Sequence, residues 1–295
     1  MLDVVVTPER PPESGTDVPG RIALVQGGSA ANTARWLSRL GARTSLIAAI
    51  GRDAVGRALV EAVRSDGVVT HISRVTGART GRVGVLVVSG GERNFVTERG
   101  AADQLAPGDL RAAWFSGADA LHMPVYSLLD PPLQLAGARA IELVRAAGGV
   151  VSIDLASIGP LLSGGRRAAR ALIARVEPDL LFANASEAEA LLGGRAVEGL
   201  LDFALTAVVK RGPKGATVLS RVGSDRVRFE VATEHVTASD TTGAGDAFDA
   251  GFLMDWFAAR AAGRSLTASL QRAALAGHRA AARQLASPRP ELPLG

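Results

Sequence analysis

Between residues 45 and 210 the sequence alternates short apolar runs with amphipathic stretches, and this limits the fold more than any other feature. Apolar runs lie at 45–50, 120–123, 150–154, 180–183 and 207–210. Helical periodicity lies at 31–40, 54–65, 133–147, 166–175 and 187–192. Strands that read as near-continuous apolar runs are buried on both faces, which happens when helices cover both sides of a parallel sheet. Two Ala-rich helical stretches close the chain at 244–262 and 266–285. The expected fold class is therefore α/β, a three-layer sandwich with a mainly parallel central sheet.

One region breaks the alternation. Residues 82–88 and 94–97 are β-rich and are joined by Ser89-Gly90-Gly91-Glu92, a glycine pair suited to a tight hairpin. The opening segments 4–6 and 21–25 also read as extended, with a Pro- and Gly-rich loop between them. These pieces are expected to form a small β lid from segments of approximately 3–25 and 78–100, within a single domain spanning 1–295. The tail at 287–290 stops the last helix and is expected to fray.

Composition excludes several classes of function. The chain has 295 residues and no cysteine, so disulfides, thiolate zinc sites and cysteine nucleophiles are ruled out. The net charge of +4 is spread over scattered arginines, with Lys210 and Lys214 the only lysines. With only 4% aromatic residues, nucleic-acid binding, which needs a basic stripe and stacking platforms, is not expected. No apolar run is long enough to span a bilayer, and no secretory leader pattern opens the chain, so no membrane contact and a cytoplasmic location are expected. The four histidines show no metal-ligand spacing.

Three stretches carry candidate chemistry. In Asp240-Thr241-Thr242-Gly243-Ala244-Gly245-Asp246 a glycine-rich turn opens directly into a helix. Free amides and the helix dipole make such a start an anion site suited to phosphate. Asp246 falls in the first turn, where a carboxylate can take a proton from an attacking hydroxyl, although a first-turn acid also serves as a cap. Gly27-Gly28-Ser29-Ala30-Ala31-Asn32 again runs from a glycine pair into a helix. The amide of Asn32 suits sugar hydroxyls, while Ser29 or Asn32 would equally serve as an N-terminal cap. Asn184-Ala185-Ser186-Glu187 follows a strand. Its oxygens suit magnesium waters near a triphosphate, and Ser186 capping a helix with Glu187 in its first turn accounts for the same residues. Neither a P-loop nor a dinucleotide fingerprint is present.

Taken in this order, the three stretches resemble the ribokinase or PfkB-type family of carbohydrate kinases, and the likeness covers nearly the whole chain. The family implies an α/β sandwich with a β lid. It also implies an ATP- and Mg²⁺-dependent phosphotransferase acting on a hydroxyl of a sugar or sugar-like substrate, or of a nucleoside. By this resemblance Asp246 is the catalytic base, and Gly243, Ala244 and Gly245 form the anion hole. Asp3, Gly28 and Asn32 face the substrate. Asn184, Lys210, Gly212 and Gly215 line the nucleotide. Glu187 meets Mg²⁺ through water, and Asp240 and Thr242 lie near a monovalent cation such as K⁺.

Four departures qualify the resemblance. The strand that usually precedes the substrate aspartate is missing ahead of Asp3, so a start further upstream is expected. Ser29 stands where ribokinases proper have lysine. The run His122-Met123-Pro124-Val125-Tyr126 lacks their acid. The family's Gly-Ala turn is absent from 285–290, which puts the cation and adenine subsites in doubt. Ribose is therefore not the expected substrate. A ligand sensor keeping the fold is the reading from another class, and a homodimer through the lid is expected.

Overall fold

The computed structural model describes residues 1–87, 93–236, 238, 240–287 and 289–293. The expected hairpin turn at Ser89-Gly90-Gly91-Glu92 lies outside them. A six-stranded sheet forms the centre. It is built from β7 (Ala120–Pro124), β8 (Val150–Asp154), β9 (Leu180–Asn184), β10 (Thr206–Lys210), β11 (Ala216–Val222) and β12 (Asp225–Val231), in the order β12-β11-β10-β9-β8-β7. The strands from β7 to β10 run parallel, and β11 and β12 add an antiparallel margin.

Strand alternation divides this sheet between two cores. Leu181 and Ala183 of β9 join Val144 of α3 (Leu133–Ala146), Ile173 of α5 (Gly165–Val176) and Leu191 of α6 (Ala185–Leu192). Leu180 and Phe182 of the same strand face the other way. They join Phe248 and Phe252 of α7 (Ala244–Ala261) and Ala273 of α8 (Leu266–Ala286). Successive side chains of a strand point to opposite faces, so an uninterrupted apolar strand needs a helical layer on each side. That is the expected three-layer arrangement.

Residues near the N-terminus build two further sheets. In the first, β1 (Leu2–Pro8), β2 (Gly20–Gln26), β5 (Arg82–Val87) and β6 (Arg93–Glu98) form a small sheet in the order β2-β1-β5-β6. In the second, β3 (Ser45–Gly51) and β4 (Val69–Val75) pair in parallel around α2 (Ala54–Ser65). No ladder joins β3 to β7 among the described residues, so the main sheet and this pair stay separate. Five consecutive residues of β3, Leu46 to Ile50, line a mostly apolar cleft. Consecutive residues can line one space only through the edge of a strand, because alternate side chains diverge. The cleft also reaches Pro124 at the end of β7, and Met1 and Gln26.

Several elements differ from the reading of the sequence. Strands β4 and β12 were not anticipated, because His71, Ser73 and Arg74 in one and Asp225, Arg226, Arg228 and Glu230 in the other break any apolar run. Charged side chains on an outer strand protect it from pairing with another chain. Strand β11 and the short α4 (Ile158–Leu162) were also missed. Helix α1 spans Ser29–Arg39, starting at the glycine pair itself. Among the described residues, the tail packs back on the protein instead of fraying. Leu292 donates its amide to Leu24 O at 2.7 Å and packs on Leu2 and Leu59, and Glu291 bridges to Val25.

Candidate functional site

The site assembles where three chain segments meet at the start of α7. Gly243 is the residue before the helix and has φ 80, a conformation open to glycine at little cost. The first amides of an α-helix have no acceptor within it; Ala244 N makes a long bond to Thr241 O at 3.3 Å, and those of Gly245 and Asp246 are left as donors at the helix start. Gly245 leaves room beside Lys210, whose Nζ would lie 3.4 Å from a Cβ at that position. The dipole of an 18-residue helix adds to the attraction for an anion here.

Asp246 is fixed by residues more than 200 positions earlier. Ser29 Oγ donates to its Oδ1 at 2.7 Å, and Asn32 Nδ2 donates to its Oδ2 at 2.8 Å. The capping role weighed for Ser29 and Asn32 is overturned. Gly28 precedes α1 with φ 97, and no side chain caps that helix, because both polar groups turn to the carboxylate. Burial raises the Asp246 pKa above its ordinary value, and the bonds from Asn32 and Ser29 restrain the rise. A carboxylate that is oriented, desolvated and beside an anion-binding helix start is equipped to accept a proton from a hydroxyl.

A buried charge cluster lies beneath it. Lys210 Nζ reaches Asp154 Oδ2 at 2.9 Å and both carboxylate oxygens of Asp249 at 3.0 Å. Burial alone would lower the Lys210 pKa, but Asp154 and then Asp249 hold its ammonium charged far above the ordinary range. Burial pushes Asp249 up, whereas at Asp154 burial is outweighed by the Lys210 charge acting together with the hydrogen bonds to Asp249 and Lys210, which holds that carboxyl below its ordinary range. Lys210 thus points inward toward the start of α7. Gly212 and Gly215 shape the turn after β10, with φ 55 and 83. A Cβ at Gly215 would meet Val231 O at 2.1 Å. Asp154 and Asp249 were missed in the sequence. The available signal was the spacing of Asp249 from Asp246, three residues on and on the same helical face.

Asn184 and Glu187 form a reciprocal cap on α6. Glu187 N donates to Asn184 Oδ1 and Asn184 N donates to Glu187 Oε2, each at 2.8 Å. The cap is therefore Asn184, not Ser186. Burial, followed by the charge of Asp154, pushes Glu187 up to about 7.

At the substrate end, Tyr126 and Ser29 line the apolar cleft, and Arg99 stacks over the Tyr126 ring at 4.6 Å. Gln26 is 3% exposed, and its amide has no partner among the described residues, which places an unsatisfied polar group in the cleft wall. It too was missed. Asp3 is buried against Gly27, where a Cβ would lie 1.9 Å from its Oδ1, and it pairs with Arg289. Asp240 and Thr242 are met by the guanidinium groups of Arg93 and Arg289. Trp36 is core.

The chain matches the family model of pfkB family carbohydrate kinases over residues 1–291. It is 30% identical over 251 residues to probable fructokinase-2 of Arabidopsis thaliana, covering 81% of this chain and 75% of that protein. The adenosine kinase of Sinorhizobium meliloti has a similar fold, with TM-score 0.79 and 24% identity over 100% of this chain and 94% of the other. So does a fructokinase of Vibrio cholerae solved with fructose, ADP and calcium ion, with TM-score 0.71 and 24% identity over 95% and 88%. This chain belongs to the pfkB family of carbohydrate kinases, phosphotransferases that act on an alcohol group.

Proposed function

We propose that this protein transfers the γ-phosphoryl group of ATP to a hydroxyl of a sugar or sugar-like substrate, with Asp246 as general base. The observation that carries the reading is the convergence of Ser29 and Asn32 on Asp246 at the first turn of α7. Two motifs far apart in sequence thereby orient one carboxylate beside one anion-binding helix start. Asp246 accepts the proton of the attacking hydroxyl. The amides of Gly243, Ala244 and Gly245 stabilise charge on the transferred group, which is the larger share of catalysis in phosphoryl transfer. Gly28 and Asn32 border the substrate, and Asn184, Gly212 and Gly215 border the nucleotide. Lys210 acts from below the anion hole by holding Asp154 and Asp249 in place.

Glu187 and Asp154 fit a hydrated Mg²⁺. Burial first, and then the Asp154 charge, raises the Glu187 pKa, and a cation between carboxylates and phosphates relieves that repulsion. When bound, Mg²⁺ neutralises developing phosphate charge. A nucleoside is the alternative acceptor, favoured by the apolar wall of the cleft. A sensor would have no need of an oriented base. We further propose that a second copy packs on the small sheet, where Ile22, Phe95 and Val96 are exposed. Sedimentation of the wild type as a dimer and of Val96→Glu as a monomer is the expected result.

A coupled ADP-release assay over pentoses, hexoses, ketoses, sugar acids and nucleosides tests the function. Turnover on one class is expected, with Asp246→Asn lowering it by about 10²–10⁴-fold. Full activity in that variant would remove Asp246 from the mechanism.

A further inference from the structure

The C-terminal tail brings a cation to the heart of the site. Leu292 and Glu291 fasten the tail to β2, and just before them Arg289 turns inward and is almost fully buried. Its Nη1 donates to Asp3 Oδ2 at 2.5 Å and to Gln26 O at 3.4 Å, and its Nε donates to Asp240 Oδ2 at 3.2 Å. The other oxygen of Asp240 meets Arg93 Nη2 at 3.0 Å and accepts the Thr242 amide at 2.8 Å. Arg93 Nη1 also donates to Thr242 Oγ1 at 2.5 Å. A continuous chain of charges therefore runs from Asp3 at the substrate end, through Arg289, Asp240 and Arg93, to Thr242. Thr242 immediately precedes Gly243 and the anion hole.

The residues expected to sit near a monovalent cation do not fit one here. Both oxygens of the Asp240 carboxylate are already engaged by two guanidinium groups, and a K⁺ ion beside them would face two fixed positive charges. A guanidinium is planar and forked, so one group can hold two carboxylates in a set geometry, which neither a lysine nor a free ion does.

We propose that Arg289 is a positioning residue: as a built-in cation shared by Asp3 and Asp240, it fixes the turn that enters the anion hole and makes this enzyme independent of K⁺. The proposal rests on the kinase reading of the site, and it makes Arg289 act through Asp3, Asp240 and Thr242 rather than on the reacting atoms. It also explains why a tail that lacks the family's Gly-Ala turn is nevertheless pinned to the lid. The tail delivers a side chain where such a turn would deliver backbone groups.

The test compares wild type, Arg289→Ala, Arg289→Lys and Glu291→Ala in KCl and in choline chloride at equal ionic strength. Wild type and Glu291→Ala, which loses only the surface pair with Arg21, are expected to turn over equally in both salts. Arg289→Ala is expected to lose about 10²-fold in kcat, the scale of a small misplacement near the reacting atoms. Millimolar guanidinium should restore much of that loss, and Arg289→Lys should recover only part. A merely structural tail contact would show no rescue by guanidinium. Thermal melting supplies a readout that needs no substrate. The wild-type Tm should be the same in the two salts, and Arg289→Ala should gain a K⁺-specific rise. A wild type activated or stabilised specifically by K⁺ overturns the proposal, as does an Arg289→Ala rate that is unchanged or not rescued. Absence of wild-type turnover on every acceptor would count against the kinase reading instead, and the melting arm would still decide the cation question.

Discussion

Lys210 balances two carboxylates that are almost wholly out of water: the side chain of Asp249 is 0% exposed and that of Asp154 is 6% exposed. Removing its charge leaves both without a counter-ion. Lys210→Met should therefore cost about 3–5 kcal/mol, the range for breaking a buried pair from one side. Denaturant melts would read this directly. A loss below about 1 kcal/mol would mean that water already solvates the cluster. Glu187 yields a prediction in pH. Its ordinary value is 4.5, and in the folded protein it is pushed up to about 7, first by burial and then by Asp154. Between those values the folded state keeps a proton that the unfolded state has lost. Its contribution is thus fully present below the unfolded value and disappears as pH rises toward 7. Without divalent ions, stability should fall over that window, and Glu187→Gln should flatten this part of the profile. Mg²⁺ requires the ionised form, so the rise in Tm on adding Mg²⁺ should be larger near pH 8 than near pH 6. At this scale the sequence showed which residues matter more clearly than what they touch. Asp246 stood out because a glycine turn and a helix start surround it. Ser29 and Asn32 looked like local caps because their true acceptor lies more than 200 residues away.

Helices α7 and α8 meet over small side chains, and Gly251 is the tightest point. A Cβ there would lie 2.6 Å from Ala276 O and 2.9 Å from Ala280 Cβ. The first of these is helix backbone and cannot move aside like a flexible side chain. Gly251→Ala should cost about 1–3 kcal/mol despite the gain in helix propensity, because overpacking outweighs that smaller term. A Tm equal to or above wild type would show that the two helices can slide apart freely. Since Asp246 and Asp249 ride on α7, the variant should also lower kcat. The legibility of elements follows the same physics. Strands buried on both faces, such as β9, announce themselves as apolar runs. Strand β12, in which Arg226, Arg228 and Glu230 alternate with Val227, Phe229 and Val231, has no apolar run to announce it, and part of its stabilisation lies in cross-strand contacts such as Thr217 with Glu230.

For the molecule as a whole, the open question of stability lies in the separation of β3 and β4 from the main sheet. A free strand edge bears unpaired amides and carbonyls, and the cleft beside β3 leaves apolar side chains of Leu46, Ile47 and Ile50 without close neighbours on one side. The order of layers could be read from the alternation of strands and helices. The division of the sheet could not, because an edge is defined by which strand is not there to pair. Met1 marks how the space can be filled. Its amino group donates to Gly27 O at 3.2 Å beside an apolar cleft, and burial disfavours its ammonium form, lowering its pKa below the ordinary value of 8.0. Converting that amine to a peptide bond and continuing the chain into the cleft removes an ionisable group that burial penalises and covers the β3 edge together. A short Val- and Ile-rich extension placed ahead of Met1 should therefore stabilise the protein by about 1–2 kcal/mol after ordering costs, raising Tm by roughly 2–6 °C. An extension of the same length built from Gly and Ser should leave Tm unchanged, since it buries no apolar surface. Hydrogen exchange gives the decisive view: the amides of β3 should become protected only with the apolar extension. Equal protection with both extensions, or with neither, would mean that the edge of β3 is already satisfied by the surrounding structure.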